Sequence, residues 1–523
     1  MTADLAARHW DAIIIGTGIG GGTIGRRLAE KGMSVLFLEK GAAGPREAVD
    51  GLAPDEVTDP AARIQRGSWP DPVRVRIGGN ERSFYAPLGA GVGGSSVFYA
   101  ATLERPEAHD LDDSSARPHP TAGWPVSFSQ MLPYFDQAQA IYSVRGQPDP
   151  LSPHPSPQLG PGSAMCDGDA RIMAQMRRLG LHPYQLHSAL RQIQGCESCL
   201  GRKCPMNCKM DGRSAGVEPA LATGRAALLD RCEVMRLEGE RERVTHVFAR
   251  RDGAMLNFTA DHVILAAGAL SSPRLLLDSR APYWPEGCGN ARDQVGRHLM
   301  FHLNEIFALW PRRGEAFAEA AKSVGFRDLY YAEGQRFGMV QAMGLNVGQG
   351  EILHHLRRKI AASALRRVPG TRELARVPAT IAARMLGQAK VFVGLLEDLP
   401  YAENRVLPDR DKPGGILIDY RFAPELLERR ARFRQLIKSA LKGQRTMFLT
   451  QEPEPNFGHA CGSLRMGHDP ARSVVDATCR VHGMTNLWVA DASLLPTSMG
   501  VNPSLTIAAN ALRIADLLTM GIA

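Results

Sequence analysis

An apolar run at Asp11-Ala-Ile-Ile-Ile breaks into the glycines Gly16-Thr-Gly18-Ile-Gly-Gly21. It gives way to a helical segment that ends near Lys31 and resumes at Ser34-Val-Leu-Phe-Leu-Glu39. Two short apolar runs separated by a helix-length segment predict a βαβ unit with parallel strands. The glycines allow a tight turn and close backbone approach to a pyrophosphate, which the free N–H groups and dipole of the helix N-terminus attract. Glu39 stands 23 residues after Gly16, where a carboxylate can accept hydrogen bonds from an adenosine ribose.

Further along, Leu228 to Leu265 shows short alternating or apolar runs, among them Glu233-Val-Met-Arg-Leu and His262-Val-Ile-Leu-Ala-Ala, which predict returning strands. Residues 42–80 and 105–165 are rich in Pro, Asp, Ser and Gly. They read as long surface connections with short helices, one of them around Phe128 to Val144. Residues 301–455 add a strand at Lys390-Val-Phe-Val-Gly-Leu-Leu and a helix from Pro424 to Leu441. The last helix has Pro503 in its first turn, Leu505, Ala508, Leu512, Ala515 and Leu518 on one face, and Asn502 at its N-cap. No internal repeat is present. The fold class these elements predict is α/β, mixed with α+β. A Rossmann-like dinucleotide domain (1–120, 222–300 and 456–523) interleaves with a substrate-binding or cap domain (121–221 and 301–455) built on an antiparallel sheet and helices.

Composition narrows the class. With 523 residues and 44% hydrophobic content the chain can bury a large core. Its 62 basic against 54 acidic side chains give a net charge of +8, modest for this length, and nothing resembles a nucleic-acid module. The first ten residues lack a basic region followed by an apolar core, and no apolar run reaches the ~18 residues a bilayer requires. The expected address is the cytoplasm. One segment departs from the even charge distribution. Residues 351–390 are strongly basic, with Ile352, Leu353, Leu356, Ile360 and Ala364 at helical spacing. Such a helix caps a cavity or lies against an anionic membrane face, so peripheral membrane association accompanies the cytoplasmic expectation.

The chemistry concentrates at the C-terminal end. His459-Ala-Cys-Gly-Ser-Leu-Arg-Met-Gly467 and Gly500-Val-Asn-Pro-Ser-Leu-Thr506 set an imidazole and a carboxamide 43 positions apart in frames of small residues. Together with the N-terminal glycines, these blocks resemble the glucose-methanol-choline oxidoreductases, flavoproteins that oxidise alcohols. The resemblance spans nearly the whole chain. It includes Gly89-Ala-Gly-Val-Gly93-Gly94-Ser95-Ser96 and Gly268-Ala-Leu-Ser-Ser-Pro-Arg-Leu-Leu-Leu-Asp-Ser279, with departures at Ala90, Tyr99 and Arg280. It implies bound FAD, held without a covalent link because Phe98 stands where covalent members carry His. It implies a catalytic pair of His459 as base and Asn502 as hydrogen-bond donor to the substrate oxygen. The implied cofactor-binding set is Gly16, Gly18, Gly21, Glu39, Gly93, Gly94, Ser95, Val234, Gly268, Asp491, Ala492 and Pro503. A histidine suits the base role because its ordinary pKa lies near the working pH.

Four of the nine cysteines crowd into Cys196-Glu-Ser-Cys199-Leu-Gly-Arg-Lys-Cys204-Pro-Met-Asn-Cys208. This spacing gathers four soft ligands compactly enough for an iron–sulfur cluster or a tetrahedral zinc, with free thiols or two local disulfides as alternatives. A cluster would carry electrons from flavin to an external acceptor such as a quinone, a cytochrome or a partner protein. The function expected is therefore FAD-dependent oxidation of a small-molecule alcohol or sugar hydroxyl to a carbonyl, as a dehydrogenase. A flavin-containing lyase that does no net redox work and an oxygen-using alcohol oxidase are the alternatives.

Overall fold

The computed structural model describes residues 2–46, 57–312, 315–317, 321–344 and 370–521, with positions 352, 353, 356, 357, 360 and 368 between the last two stretches. Two sheets organise it. The first is parallel in the order Ala226–Leu229, Val35–Leu38, His9–Ile15, Ala254–Leu265, with Leu487–Val489 added beyond the last. The βαβ unit forms as the pattern predicts, with the helix at Ile19–Glu30. Its strands are fully or nearly fully buried, which explains their unbroken apolar runs.

The strand Ala254–Leu265 is 12 residues long because it serves two sheets. Its second half pairs in parallel with His9–Ile15, and its first half pairs antiparallel with Arg243–Arg251, which in turn pairs with Cys232–Glu240. The last helix, Ser504–Thr519, returns onto the helix Ile19–Glu30. Arg27 and Lys31 each reach Asp516 at 3.0 Å.

The second sheet is antiparallel and has six strands, in the order Thr446–Phe448, His302–Leu309, Lys390–Glu397, Val340–Ala342, Val324–Phe326 and Tyr184–Gln185. Its central strand Lys390–Glu397 is buried along its whole length. The helix Pro424–Ala440 packs Leu426, Phe433 and Ile437 into the core this sheet builds, and Gly394 lies directly under the Phe433 ring. A buried ion network ties this sheet to the first half of the chain: Glu104 accepts from Arg327 at 2.7 Å and from Tyr184 at 2.9 Å.

Residues 42–80 contain more structure than their composition predicts. A helix Pro60–Arg66 leads to the strand Val73–Ile77, which pairs antiparallel with Asn80–Phe84 and in parallel with Ile416–Tyr420. This small sheet therefore joins strands far apart in the chain. The helix expected from Ile352 to Ala364 falls largely outside the described residues. Described helices follow at Thr371–Leu374 and Arg376–Leu386.

Candidate active site

Gly16 closes the first strand with φ +100°, in the left-handed region, and a Cβ there would lie 2.5 Å from the Ala266 carbonyl oxygen. Gly21, in the following helix, packs against the Gly16 carbonyl. Gly18 caps that helix, and a side chain on it would meet open space. Gly93 and Gly94, also at positive φ, bring their loop against Gly18, and Gly93 N–H donates to Thr17 Oγ1 at 3.1 Å. Ser95 follows on this loop and its Oγ accepts from Gly89 N–H. Glu39 lies buried at the end of Val35–Leu38. Its carboxylate accepts from Thr17 N–H, Thr17 Oγ1 and Gly41 N–H, while burial raises its pKa. Val234 lies two residues beyond Cys232, whose N–H donates to the Glu39 carbonyl at 2.8 Å. These residues thus gather at the C-terminal edge of the parallel strands, the edge at which ligands bind in open α/β sheets.

The Asp491 carboxylate is fully engaged by the chain itself. It accepts from Gly268 N–H at 2.8 Å, Ser272 Oγ at 2.6 Å, and Ser493 N–H and Oγ at 2.8 and 2.5 Å. It clamps Gly268 to the turn at Ala492, whose carbonyl accepts from Gly462 N–H. The same region carries His459. Paired bonds between Met300 and Cys461 run that segment antiparallel to residues 300–302 and set His459 across from His302.

The resulting contact fixes the protons. His302 Nε2 lies 2.9 Å from the Met499 carbonyl oxygen, which can only accept, so Nε2 carries the hydrogen. Complete burial pushes the His302 pKa down to about 4, so the ring is neutral and its Nδ1 holds a lone pair. His459 Nδ1 lies 3.1 Å from that atom and must donate to it. The His459 Nε2 is thereby left as an acceptor. Burial, then His302 and Lys322, hold the His459 pKa well below the ordinary imidazole value. Met499 makes this arrangement from the left-handed region (φ +61°), unusual for a residue with a side chain. Gly500 next to it abuts Tyr330 and Gly338, and its carbonyl accepts from Met339 N–H, anchoring the turn to the second sheet.

Asn502 does not cap the last helix as its position predicts. The helix starts at Ser504 with Pro503 at its cap and no side-chain cap bond. The Asn502 Oδ1 is buried without a hydrogen-bond partner among the described residues. A buried acceptor left unpaired costs ~1–3 kcal/mol, which a bound group with a suitable donor removes. The orphaned amide oxygen and the open space at Gly18 are compatible with a bound group at each position.

Sequence reasoning did not single out His302 or Lys322. His302 sits on an ordinary strand 157 positions from its partner, with no motif around it. Lys322, whose pKa burial lowers to about 8, makes no hydrogen bond or ion pair among the described residues. A small pocket beside Gly91, Val92 and Val97 has Arg46, Lys203 and Arg213 in its wall together with Asp211, and Glu218 pairs with both arginines.

The four-cysteine segment does gather. Cys199, Cys204 and Cys208 are buried together with Cys196 packed on them, and fully buried Lys209 ties their loop to Tyr99 by donating to the carbonyls of Cys199 and Tyr99. The expected iron–sulfur or zinc site finds no support. Cys204 and Cys208 sulfurs lie 3.2 Å apart, in direct contact, and no group of three or more His, Cys, Asp or Glu among the described residues is arranged to hold a metal ion. The two local disulfides are also absent: all nine cysteines are free thiols.

Two GMC oxidoreductase sequence models match the chain, one over residues 10–304 and the other over 410–511, and the chain belongs to this family. It is an FAD oxidoreductase acting on CH–OH groups. Among similar proteins, 6'''-hydroxyparomomycin C oxidase of Streptomyces lividus is 27% identical over 97% of this chain and 91% of its own length. The fructose dehydrogenase large subunit of Gluconobacter japonicus is 25% identical, with 97% of each chain covered. The fold is shared with formate oxidase of Aspergillus oryzae RIB40 in a variant form, at 16% identity and TM-score 0.67 over 98% of this chain and 99% of that one. An FAD-dependent oxidoreductase from Chaetomium thermophilum matches at 18% identity and TM-score 0.64, covering 98% and 100%. Among the described residues no helix is long and apolar enough to cross a membrane.

Proposed function

We propose that this protein oxidises the hydroxyl of an alcohol or sugar to a carbonyl, with His459 and Asn502 flanking the reacting carbon. FAD, when bound, supplies the hydride acceptor. His459 takes the hydroxyl proton at Nε2, the one imidazole nitrogen whose lone pair the Met499–His302–His459 chain leaves available. That chain is the observation that carries the reading. His302 is a positioning residue: it orients the ring and holds the tautomer. Burial keeps His459 unprotonated at neutral pH and so ready to accept. The Asn502 amide binds the substrate oxygen as charge develops there.

The proposed cofactor set remains Gly16, Gly18, Gly21, Glu39, Gly93, Gly94, Ser95, Val234, Gly268, Asp491, Ala492 and Pro503, with Asp491 acting by holding Gly268 and Ala492 in place. FAD is held without a covalent bond, since Phe98 offers no nucleophile. Relatives named for 6'''-hydroxyparomomycin C and for fructose support a polyhydroxylated substrate. Without a metal relay among the described residues of the thiol segment, oxygen and an external carrier are both open as the acceptor, and assay decides between them. Anaerobic bleaching of the flavin by a sugar or alcohol panel tests the reading. Bleaching by at least one substrate in the wild type and its loss in His459→Ala support it. Substrate cleavage without bleaching would replace it with a lyase. Oxygen consumption against dye reduction then separates oxidase from dehydrogenase.

A further inference from the structure

The helix Arg376–Leu386 has apolar side chains on two opposite sides. One side is buried: Ala379 and Leu386 point inward, Leu386 packs with Ala308 and Trp310, and Trp310 Nε1 donates to the Met385 carbonyl at 3.1 Å. The other side is bare. Val377, Ile381 and Met385 are 60%, 55% and 54% exposed, and Leu374 just before the helix is 67% exposed. Val377, Ile381 and Met385 recur every four residues, forming a stripe about 12 Å long at the helical rise. Five of the thirteen large apolar side chains exposed among the described residues fall between Val368 and Met385. Such clustering on a surface marks a contact site, whereas single exposed apolar residues need no explanation.

The charge of the sequence segment that carries the stripe points to the partner. Residues 351–390 carry nine Lys and Arg against two Glu, a net +7 of the chain's +8, so the other 483 residues are almost neutral in sum. Arg376 and Arg384 are exposed on the same helix as the stripe and make no ion pair among the described residues. Glu373 is the lone acid from 370 to 390. A second copy of this chain is a poor occupant, because Arg376 and Arg384 of one copy would face the same unpaired cations of the other. An aliphatic stripe lying along a helix and flanked by basic side chains matches a helix resting in the plane of an anionic membrane interface.

We propose that the Leu374–Met385 face docks on anionic phospholipid bilayers, with the stripe inserted at the boundary of headgroups and acyl chains and the basic side chains among the phosphates. This goes beyond the catalytic reading and does not depend on it.

Co-sedimentation of the FAD-loaded full chain with vesicles tests the proposal. Vesicles of phosphatidylcholine alone are compared with vesicles containing phosphatidylglycerol, at low and high salt. Binding is expected only to the anionic vesicles and is weakened by salt. Val377→Ser/Ile381→Ser/Met385→Ser abolishes it. Arg376→Glu/Arg384→Glu weakens it by more than tenfold, since each basic side chain near an anionic leaflet contributes roughly fivefold. Turnover with a soluble acceptor stays unchanged in both variants, confirming their fold. Absence of wild-type binding, equal binding to neutral vesicles, or undiminished binding by the triple serine variant overturns the proposal. So does a dimer in light scattering that the triple variant dissociates, which would assign the stripe to a second copy.

Discussion

The imidazole pair and the thiol cluster are both close-packed groups of polar side chains, yet only one ends on a directed partner. His459 and His302 end on the Met499 carbonyl, a fixed acceptor that assigns every proton along the line. The cysteines end on one another: Cys204 and Cys208 touch, and Lys209 binds the surrounding carbonyls while its N–H reaches only Cys204, at 3.5 Å. Proximity alone gives packing. A directed partner at the end of the line gives a defined protonation state, and this makes one nitrogen chemically distinct.

The largest effect that sharpens this contrast is loss of the base. His459→Ala should slow flavin reduction by roughly 10²–10⁴-fold while flavin content stays at the wild-type level, read by anaerobic stopped-flow absorbance. An unchanged rate would remove the imidazole from the chemistry.

Acid stability comes next. The His302 pKa is depressed in the folded state, so folding disfavours its protonation. The stability it contributes is full above pH 6.5 and is lost as pH falls from 6.5 towards about 4. That difference corresponds to about 3 kcal/mol. Urea melts across this window should show a steep decline in the wild type and a shallower one in His302→Gln. Parallel declines would place the titration elsewhere.

The same variant tests positioning. His302→Gln should lower the rate by about tenfold, the value of one lost orienting hydrogen bond, with KM little changed. Lys322→Met should move the acid limb of the rate profile upward in pH, because its ammonium helps depress His459. A downward shift would contradict the arrangement. The smallest effect belongs to the thiols. Cys204→Ser should cost about 1 kcal/mol or less in a thermal melt and leave flavin reduction within about twofold of wild type. A large loss of rate would give the cluster a role that its packing does not reveal.

The contrast also explains what could be read in the sequence. The βαβ unit is legible because its determinants are local: Gly16, Gly18 and Gly21 fall within one turn and its helix, and Glu39 follows the next strand. His459 and Asn502 stand out as candidates through their small-residue frames. His302 does not, because its role comes from a bridge between Met300 and Cys461 and from the turn at Met499, which no local pattern encodes. The strands Val73–Ile77 and Asn80–Phe84 were missed for a different reason. Arg74, Arg76, Glu81 and Arg82 give them a polar face, and the second strand is almost wholly exposed. The spacing of the four cysteines implies close neighbours, and the structure packs them together. Ligand spacing along a chain does not specify the distances between sulfurs.

The parallel sheet brings Leu487–Val489 against Ala254–Leu265, which itself lies beside His9–Ile15. The sheet begun by the first forty residues is therefore finished only after residue 489 has been made. A growing polypeptide must keep its earliest strands from aggregating while hundreds of residues are still being made. Truncation before residue 487 removes the strand that flanks Ala254–Leu265 and should yield a colourless, unstable product.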